Sequence, residues 1–448
     1  MTDQEHRYKL SYTQFVALGF FAIIITGGLL LTLPAASKTG TWTPLIDTMF
    51  TATSATCVTG LAVYDTYQHW SLFGQIIILI LIQIGGVGFM TVITLFSILM
   101  KRQIPLHERK LIMQSAGAMK VGGAVQLIKQ VALATFLMEG IGACLLAIRF
   151  IPEMGLITGI YYAVFHSISA FCNAGFDLMG RYEAFSSLTR YVADPLVNLT
   201  ICGLVIIGGL GFIVWNDIAT QKLHFKRYQL HSKIVLTMTG FLLFFGTILF
   251  LMLECSHTQD SMTLGQRLLA SFFEAVTPRT AGFNTTPLEN LSESGSLLTM
   301  MLMFIGGNPG STAGGIKTST FFVLVLSIGA ACRHSSNITI FKRNLEDSIA
   351  KQAAAIATIY LIAITLSALV IAALEPFSLR EVLLETVSAA GTVGLSAGIS
   401  SAGCITTKLI FMILMFGGRV GGLTLALVLA EKRVFVPIER PVEKILIG

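Results

Sequence analysis

Long apolar segments constrain the fold of this chain more than any other feature of its sequence. Runs such as GFFAIIITGGLLLTL and FGQIIILILIQIGGVGFMTVITLFSILM belong to segments that provide the roughly 20 apolar residues an α-helix needs to span a bilayer. Only 12% of the 448 residues are charged, whereas 54% are hydrophobic, which does not suit a water-facing surface. No small-residue cleavage site follows the first run, so we expect that run to stay in the protein. The sequence predicts an all-α polytopic membrane protein.

The placement of Lys and Arg predicts how the chain is oriented in the plasma membrane. These residues concentrate in four segments between or after the apolar runs: Lys101 to Lys120, Lys222 to Lys233, Arg333 to Lys351, and Lys432 to Lys444. Under the positive-inside rule these segments are cytoplasmic, and both termini are expected there too. Because the net charge of +6 follows this pattern, it does not indicate binding of nucleic acid. The seven Cys include no C-x-x-C pair, which argues against a zinc site or a disulfide framework.

Two sequence landmarks recur four times along the chain. The first is a short amphipathic segment that ends in Gly-Phe or Gly-Leu, with glycines at positions 60, 175, 282 and 394. The second follows each glycine by 23 to 33 residues and reads IGGVGF, IGGLGF, IGGNPG and FGGRVGG. Two landmarks in the same order, four times, indicate four repeats of one structural unit. We place the repeats at residues 1–120, 121–228, 229–345 and 346–448, the last with the C-terminal tail.

Each repeat is interpreted as an apolar span (M1), a short pore helix, the glycine loop and a second apolar span (M2). The pore helices, at about 10 to 12 residues, are too short to cross a bilayer and are predicted to be re-entrant. Non-helical backbone at membrane depth has to face protein or a water-filled cavity. Four such loops around one axis can direct carbonyls at a common centre, where they replace the hydration shell of a cation. We therefore expect about eight transmembrane spans around one pseudo-fourfold ion pore.

The stretches VTGL, NAGF, TAGF and TVGL, each after a short helix, resemble the filter loops of the Trk, Ktr and HKT superfamily of potassium transporters. The resemblance covers about residues 12 to 430. The first loop comes too early for the extra helix pair of Trk members, so the chain is similar to a Ktr membrane subunit of the KtrB or KtrD type. The resemblance implies K+ uptake through a filter in which backbone carbonyls at the four loop glycines hold K+. The implied filter residues are Thr59, Gly60, Ala174, Gly175, Ala281, Gly282, Val393 and Gly394.

The third M2 contains a stretch that a continuous helix does not tolerate. FIGGNPGSTAGGIKTSTFF holds five glycines, and Pro309 removes a helix hydrogen bond. An unwound stretch at this depth has to line a cavity, which predicts a mobile loop beneath the filter; a proline-kinked packing helix is the alternative. In Ktr and Trk proteins the matching stretch is an intramembrane gating loop. The implied gate residues are Gly306, Gly307, Asn308, Pro309, Gly310, Ser311, Thr312, Ala313, Gly314, Gly315, Lys317 and Arg419.

Arg419 lies inside LIFMILMFGGRVGGLTLALVL, with no other charge within ten positions on either side. An arginine at that depth costs about 3 kcal/mol on insertion scales and normally faces a cavity or a partner. We expect it to project toward the pore below the filter and to donate to loop carbonyls or to Asn308. The matching arginine of the family has such a gating role, and burial for packing alone is the alternative.

The sequence favours K+ uptake over three other functions. A Na+- and K+-permeable transporter of the same fold stays open, although family members associated with Na+ permeation have Ser at the first filter position and this chain has glycine at all four. A secondary transporter of an organic substrate would need inverted repeats, whereas every loop between repeats is basic. An enzyme would need clustered Asp, Glu or His at a membrane face, and the sequence offers no such cluster.

The partners expected of the chain come from the resemblance alone. It implies a homodimer docked on a cytosolic ring of RCK subunits of the KtrA or KtrC type, which bind ATP or ADP. Nucleotide would thus act only through the partner subunit. Dependence on Na+ as an activator is a further trait of the family.

Overall fold

The four predicted repeats are visible as four sets of helices. The structure, a computed structural model, describes residues 12–421 except 89–90, 93–94, 96–123, 223, 261 and 336–337. The M1 helices are Tyr12–Thr32, Ala124–Met154, Leu230–Glu254 and Asp347–Leu374. The pore helices are Leu45–Cys57, Leu156–Phe171, Leu264–Val276 and Leu379–Gly391. The M2 helices are Leu72–Val87, Pro195–Leu210, Glu293–Phe304 and Ile405–Val420, and two of them resume as Phe212–Gln221 and Thr318–Cys332.

The remaining elements are short and connect these helices. Single turns of α-helix occupy Thr66–His69 and Ile399–Ala402, and turns of 3-10 helix occupy Pro34–Ala36, Met179–Arg181, Thr189–Tyr191, Phe225–Arg227 and Leu288–Asn290. A two-stranded antiparallel hairpin pairs Thr339–Ile340 with Arg343–Asn344. The predicted basic segment from Lys101 to Lys120 and both chain termini lie outside the described residues, so the cytoplasmic location of the termini stays a prediction.

Local sequence determines where several helices begin. The third pore helix starts with a capping box between Thr263 and Gln266, and the fourth starts with one between Ser378 and Glu381. In a capping box the two side chains satisfy backbone N–H groups that the first helical turn leaves unpaired. The first three M2 helices begin with N-cap side chains, at Ser71, Asp194 and Ser292. Both kinds of cap satisfy backbone N–H groups at the start of a helix and so determine where these pore helices and M2 helices begin.

The distribution of apolar side chains is that of a membrane protein. One hydrophobic core joins all four repeats and includes the fully buried Phe50, Phe165, Phe283 and Phe411. Each M1 helix in turn exposes large apolar side chains, among them Leu18, Phe136, Phe244 and Leu369. Such side chains are stable against lipid and not against water, so the M1 helices form the outer layer and the pore helices the inner one.

Four helices in the described part of the chain are long and apolar enough to cross a membrane, and they are the four M1 helices. The M2 helices do not reach that length because each of them ends at or near its landmark. The first, second and fourth stop before Gly88, Gly211 and Gly421, whose φ angles are 92°, 95° and 99°. In the second repeat the two halves of M2 are bent by 95°. The predicted count of eight spans therefore stays a prediction.

The break in the third M2 occurs where the sequence predicted it, after Phe304. The breaks at Gly88, Gly211 and Gly421 were not anticipated, because a single glycine in an apolar helix is ordinary in membrane proteins. Each of the four M2 helices thus ends at or near its landmark. The interruption in the third repeat is longer than that in the second, since the third M2 resumes only at Thr318, whereas the second resumes at Phe212.

Candidate ion pathway

Each filter loop adopts the same uncommon backbone conformation. The residue two positions before the filter glycine has a positive φ, which is 57° at Val58, 60° at Asn173, 75° at Thr280 and 52° at Thr392. The filter glycines follow with φ angles of 97°, 71°, 79° and 95° in chain order. L-residues adopt such angles at a cost, whereas glycine populates them readily. Glycine therefore recurs at this position in all four repeats because the backbone there has a positive φ angle.

The four glycines form a closed ring. In each repeat, a Cβ added to the filter glycine would run into the carbonyl oxygen of the residue that precedes the filter glycine of the next repeat. The pairs are Gly60 with Ala174 at 2.6 Å, Gly175 with Ala281 at 2.9 Å, Gly282 with Val393 at 2.6 Å, and Gly394 with Thr59 at closer range. The fourth loop thus closes on the first. The eight residues predicted from the sequence all meet around one axis, with four backbone carbonyls next to it.

Hydroxyl groups of the pore helices brace the loops in two alternative ways. In the first and fourth repeats a serine oxygen accepts from the N–H of the filter glycine, at 3.1 Å for Ser54 and 3.0 Å for Ser388. In the second and third repeats a hydroxyl donates to the carbonyl just after the filter glycine, from Ser169 to Phe176 and from Thr277 to Phe283. Each loop is therefore fixed by a hydroxyl of its own pore helix or, in the third repeat, of Thr277 directly after that helix.

An acidic vestibule of about 380 Å³ opens on one side of the ring. All four filter glycines line it, and so do Asp65, Asp177, Glu183 and Glu289. The described residues that line it include no Lys, Arg or His. A water-filled concavity with charges of one sign concentrates counter-ions, here cations. The two glutamates come from loops whose approach to the ring only the fold shows.

The two aspartates of the vestibule differ in their partners. The carboxylate of Asp65 accepts from the backbone N–H groups of Tyr67, Gln68 and Phe185, at 2.8 to 2.9 Å, and so joins the first repeat to the second. Asp177 accepts from the N–H of Met179. Burial and the neighbouring charge of Asp65 raise the pKa of Asp177 to about 7. The charge of Asp177 is therefore expected to change around neutral pH.

Glycines of the second landmark lie against the C-terminal ends of pore helices. A Cβ at Gly85, Gly208 or Gly418 would overlap a carbonyl oxygen at the end of the pore helix of the same repeat, that of Thr56, Phe171 or Ala390. In membranes small residues promote helix association because they let two backbones approach closely. In the first, second and fourth repeats the landmark glycines thus let M2 touch the C-terminal end of its pore helix. The negative ends of the helix dipoles are held there, close to the ring.

The gate loop, residues 306–317, lies against the second repeat on one side. Its Asn308 and Thr312 donate from the backbone to the carbonyls of Gly209 and Gly208, at 3.2 and 3.3 Å. The hydroxyl of Thr312 also donates to the carbonyl of Phe171 at the end of the second pore helix, at 3.2 Å. The loop is therefore directly beneath the second filter loop.

On its other side the gate loop contacts the fourth repeat. The N–H of Gly315 donates to the carbonyl of Gly418 at 3.2 Å. A Cβ at Gly314 would overlap the side chain of Thr392, which precedes the fourth filter glycine by two residues. At the end of the loop, Lys317 Nζ turns back and donates to the carbonyl of Ala313 at 2.7 Å. The loop thus extends under the ring from the second repeat to the fourth.

Arg419 ties the gate loop to the first repeat. Its guanidinium donates to the carbonyl of Thr312 in the loop and to the carbonyls of Gly85 and Gly86 in the first M2. Donation to a loop carbonyl was expected from the sequence. The alternative partner, Asn308, donates instead to the carbonyl of Gly209, at 2.8 Å. A guanidinium has only donors, so it suits a site built from carbonyls.

Arg279 is a buried charge that the reading of the sequence missed. It lies in the third filter loop, three residues before Gly282, and is 8% exposed. Because Arg279 lies in a polar turn, its charge did not look unusual in the sequence. Alignment of the four loops on their glycines would have shown it, because the other three have Cys57, Cys172 and Gly391 at this position.

The described residues contain no group of three or more His, Cys, Asp or Glu that could hold a metal ion. The described filter loops offer backbone carbonyl oxygens beside the ring as candidate ligands. Neutral oxygens suit weakly bound monovalent cations, which have to leave the site again.

Comparison with known proteins gives one consistent result. Residues 2–435 match the family model of TrkH, described as a cation transport protein. The potassium/sodium uptake protein NtpJ of Enterococcus hirae is 38% identical over 99% of this chain and 98% of its own length. The Ktr system potassium uptake protein B of Bacillus subtilis is 40% identical over 92% of this chain and 91% of its own length. The crystal structure of the potassium transporter TrkH from Vibrio parahaemolyticus has the same fold, with a TM-score of 0.75 at 17% identity, and the match covers 95% of this chain and 86% of that one.

Proposed function

The chain belongs to the TrkH family of cation transport proteins, and from that premise we propose that it takes up K+ along the axis of its four filter loops. The observation that carries the proposal is the closed ring of glycines, in which each loop presents a carbonyl oxygen beside the next. Such oxygens replace the hydration shell of a cation as it enters. The chain is accordingly a membrane-embedded transport protein and not an enzyme.

Charge along the axis supports inward movement of cations as far as the ring. The acidic vestibule attracts cations. The four pore helices direct their C-terminal, partially negative ends at the ring. Below the ring lie two positive side chains, Arg419 and Lys317, which oppose further passage. A cation is therefore drawn into the ring and held back beneath it.

The proposed gate comprises residues 306–315 of the gate loop, Lys317 at the end of that loop, and Arg419. It is supported by the contacts of the loop with the second and fourth repeats and by the link through Arg419 to the first. A segment that contacts the second and fourth repeats beneath the ring, and is linked through Arg419 to the first, obstructs the path. Its contacts are hydrogen bonds of the backbone and of a few side chains, and these can break without unfolding a helix.

Conduction of Na+ beside K+ is the second candidate function. Two observations favour it, and the first is that the name of the Enterococcus hirae relative includes sodium. The filter is also short, because each loop contributes a single glycine and not the two of tetrameric K+ channels. Fewer rings of carbonyls provide fewer places at which the two ions can be distinguished.

Regulation by a partner subunit follows from the names of the relatives, several of which belong to a Ktr system. The proposal is a homodimer in the plasma membrane, with its termini in the cytoplasm, docked on a ring of RCK subunits that bind ATP or ADP. Na+ as an activator belongs to the same proposal. Opening of the gate loop would be the step that the ring controls.

The test of the function is Rb+ uptake into liposomes that contain only this protein, with Na+ uptake measured in parallel. In the variant Gly60→Ser, the new side chain would meet the carbonyl of Ala174, at a φ of 97° that serine adopts only under strain. The ratio of Rb+ to Na+ uptake is expected to fall.

The matched control is Gly203→Ser, because a Cβ at that M2 glycine meets nothing within 4 Å. Its ratio is expected to equal that of the unchanged protein. Equal ratios in both variants, with both folded, would show that Gly60 does not belong to a filter.

A further inference from the structure

The charge of Arg279 occurs only in the repeat whose M2 carries the gate loop. Its guanidinium lies at the base of the third filter loop, where the other three loops have uncharged residues. Nη2 of Arg279 donates to the hydroxyl oxygen of Thr239 at 3.4 Å and to that of Thr318 at 3.5 Å. The side chain therefore extends from the filter loop toward two residues outside it.

Thr318 joins the two ends of the gate loop. Its N–H donates to the carbonyl of Gly307 at 3.0 Å, and its hydroxyl donates to the carbonyl of Gly306 at 2.8 Å. These two bonds join Thr318, the first residue after the loop, to the first two residues of the loop. Through Thr318, Arg279 contacts the point at which both ends of the gate loop meet.

Thr239 provides a second connection. It lies on the third M1 helix, in neither the filter loop nor the gate loop, and is 5% exposed. Its oxygen accepts from Arg279 and also from Nδ2 of Asn308, the latter at 3.5 Å. A hydroxyl oxygen has two lone pairs and can accept both. One hydroxyl thus joins a filter side chain to a gate side chain.

The hydrogen-bonding capacity of Arg279 is not saturated. A guanidinium has five N–H donors, and the two contacts described are long. Among the described ion pairs none involves Arg279. Its Nε and the Oδ1 of Asn308 are buried and have no hydrogen-bond partner within the described part of the chain. A buried charge with so few partners is sensitive to the movement of each one.

The unpaired atoms belong to residues that share a cavity. Arg279, Thr239 and Asn308 line a space of about 10 Å³, close to the smallest volume that holds one water. A water there would accept from Nε of Arg279 and donate to Oδ1 of Asn308. It would form a second link of the same kind as the one through Thr239.

We propose that Arg279 couples the gate loop to the filter, so that displacement of the loop changes ion selectivity as well as flux. When the loop leaves its position, Thr318 and Asn308 move with it. Arg279 then loses one direct partner and the connection through Thr239. The third filter loop, held from behind by this side chain, relaxes around the carbonyl of Ala281. The inference rests on the proposed function and assigns to Arg279 a positioning role within it.

The test uses Thr239→Val in the full-length protein in liposomes. Valine keeps the shape of threonine and removes the acceptor shared by Arg279 and Asn308. Basal Rb+ uptake is expected to rise and the ratio of Rb+ to Na+ uptake to fall, each by about fivefold, as expected for the loss of one hydrogen bond. Thr239→Ser retains the hydroxyl and is expected to restore both values.

The matched control is Thr247→Val on the same helix, because the hydroxyl of Thr247 bonds only its own helix, at the carbonyl of Leu243. Folding of each variant is checked by its elution on gel filtration. A flux and a ratio in Thr239→Val that equal those of Thr247→Val would overturn the coupling. So would a change in one quantity without the other. Gly60→Ser serves as the reference: if it shifts the ratio and Thr239→Val does not, the filter stands and the coupling fails.

Discussion

Asp177 illustrates how one residue of the vestibule can tune the entry of cations. Burial and the charge of Asp65 raise its pKa to about 7, and the other acidic residues that line the vestibule are Asp65, Glu183 and Glu289. Asp177 is therefore expected to be mostly ionised at pH 8 and mostly protonated at pH 6. As the pH falls through 7 the vestibule therefore loses one negative charge, and fewer cations gather at the ring.

We expect Rb+ uptake at low Rb+ concentration to fall by about twofold between pH 8 and pH 6, since a charge at this distance is partly screened by salt. In Asp177→Asn the uptake should be low and independent of pH over that range. The measurement is initial uptake at several pH values. Asp260→Asn, which alters an exposed acid outside the vestibule, is the control and should keep the dependence of the unchanged protein. A pH dependence that persists in Asp177→Asn would assign the titration to another group.

At the level of single residues, the sequence was informative where a residue broke a strong local pattern. Arg419 stood out because its neighbours are uniformly apolar. Arg279 did not stand out, because it lies in a polar turn where an arginine is ordinary. Only its burial and its nearness to Thr318 distinguish it, and both depend on helices more than thirty residues away in the chain.

Among the elements, the gate loop is the one on which the proposed function depends most directly. Deletion of residues 309–315 would remove most of the segment that lies beneath the ring. We expect basal Rb+ uptake without any cytosolic partner to rise in this variant. Arg419→Ala should raise it less, by about tenfold, which corresponds to the lower end of what a charge-assisted hydrogen bond contributes.

Arg419→Lys keeps the positive charge but loses the planar arrangement of donors that reaches Thr312 and Gly85 together. It is therefore expected to fall between the unchanged protein and Arg419→Ala. Uptake is expressed per amount of folded protein. A lower uptake in both the deletion and Arg419→Ala would mean that the loop packs the bundle and does not obstruct the path.

For whole elements, proline and clustered glycines made the break in the third M2 predictable. The breaks at Gly88, Gly211 and Gly421 were not predictable in this way, since they depend on a positive φ that sequence does not display. The role of the landmark glycines was hidden for a similar reason. Their repetition was evident, but the carbonyl that each one faces belongs to a different helix.

Two native cysteines report the orientation of the whole molecule. Cys404 is exposed just before the fourth M2, on the side of the vestibule, and Cys332 is exposed at the end of the third M2, beyond the gate loop. If the basic segments are cytoplasmic, a membrane-impermeant thiol reagent added to intact cells should modify Cys404 and leave Cys332 unmodified.

Cys404→Ser should abolish this labelling, and Cys332→Ser should not change it. After the cells are opened, Cys332 should become reactive. Labelling of Cys332 in intact cells would place the vestibule in the cytoplasm and reverse the direction of the pathway. The pseudo-fourfold arrangement itself was predictable from the repeats, whereas the side of the membrane rests on residues that are largely outside the described part of the chain.

Because the ring is closed by four loops of one polypeptide, its four quarters are chemically separate. The carbonyls come from Thr59, Ala174, Ala281 and Val393, and no two neighbouring loops have the same sequence. In a pore of four identical subunits, one codon change alters every quarter at once. Here one codon change alters only one of the four loops. Ion preference can therefore shift by small steps during evolution, while the other three loops stay unchanged.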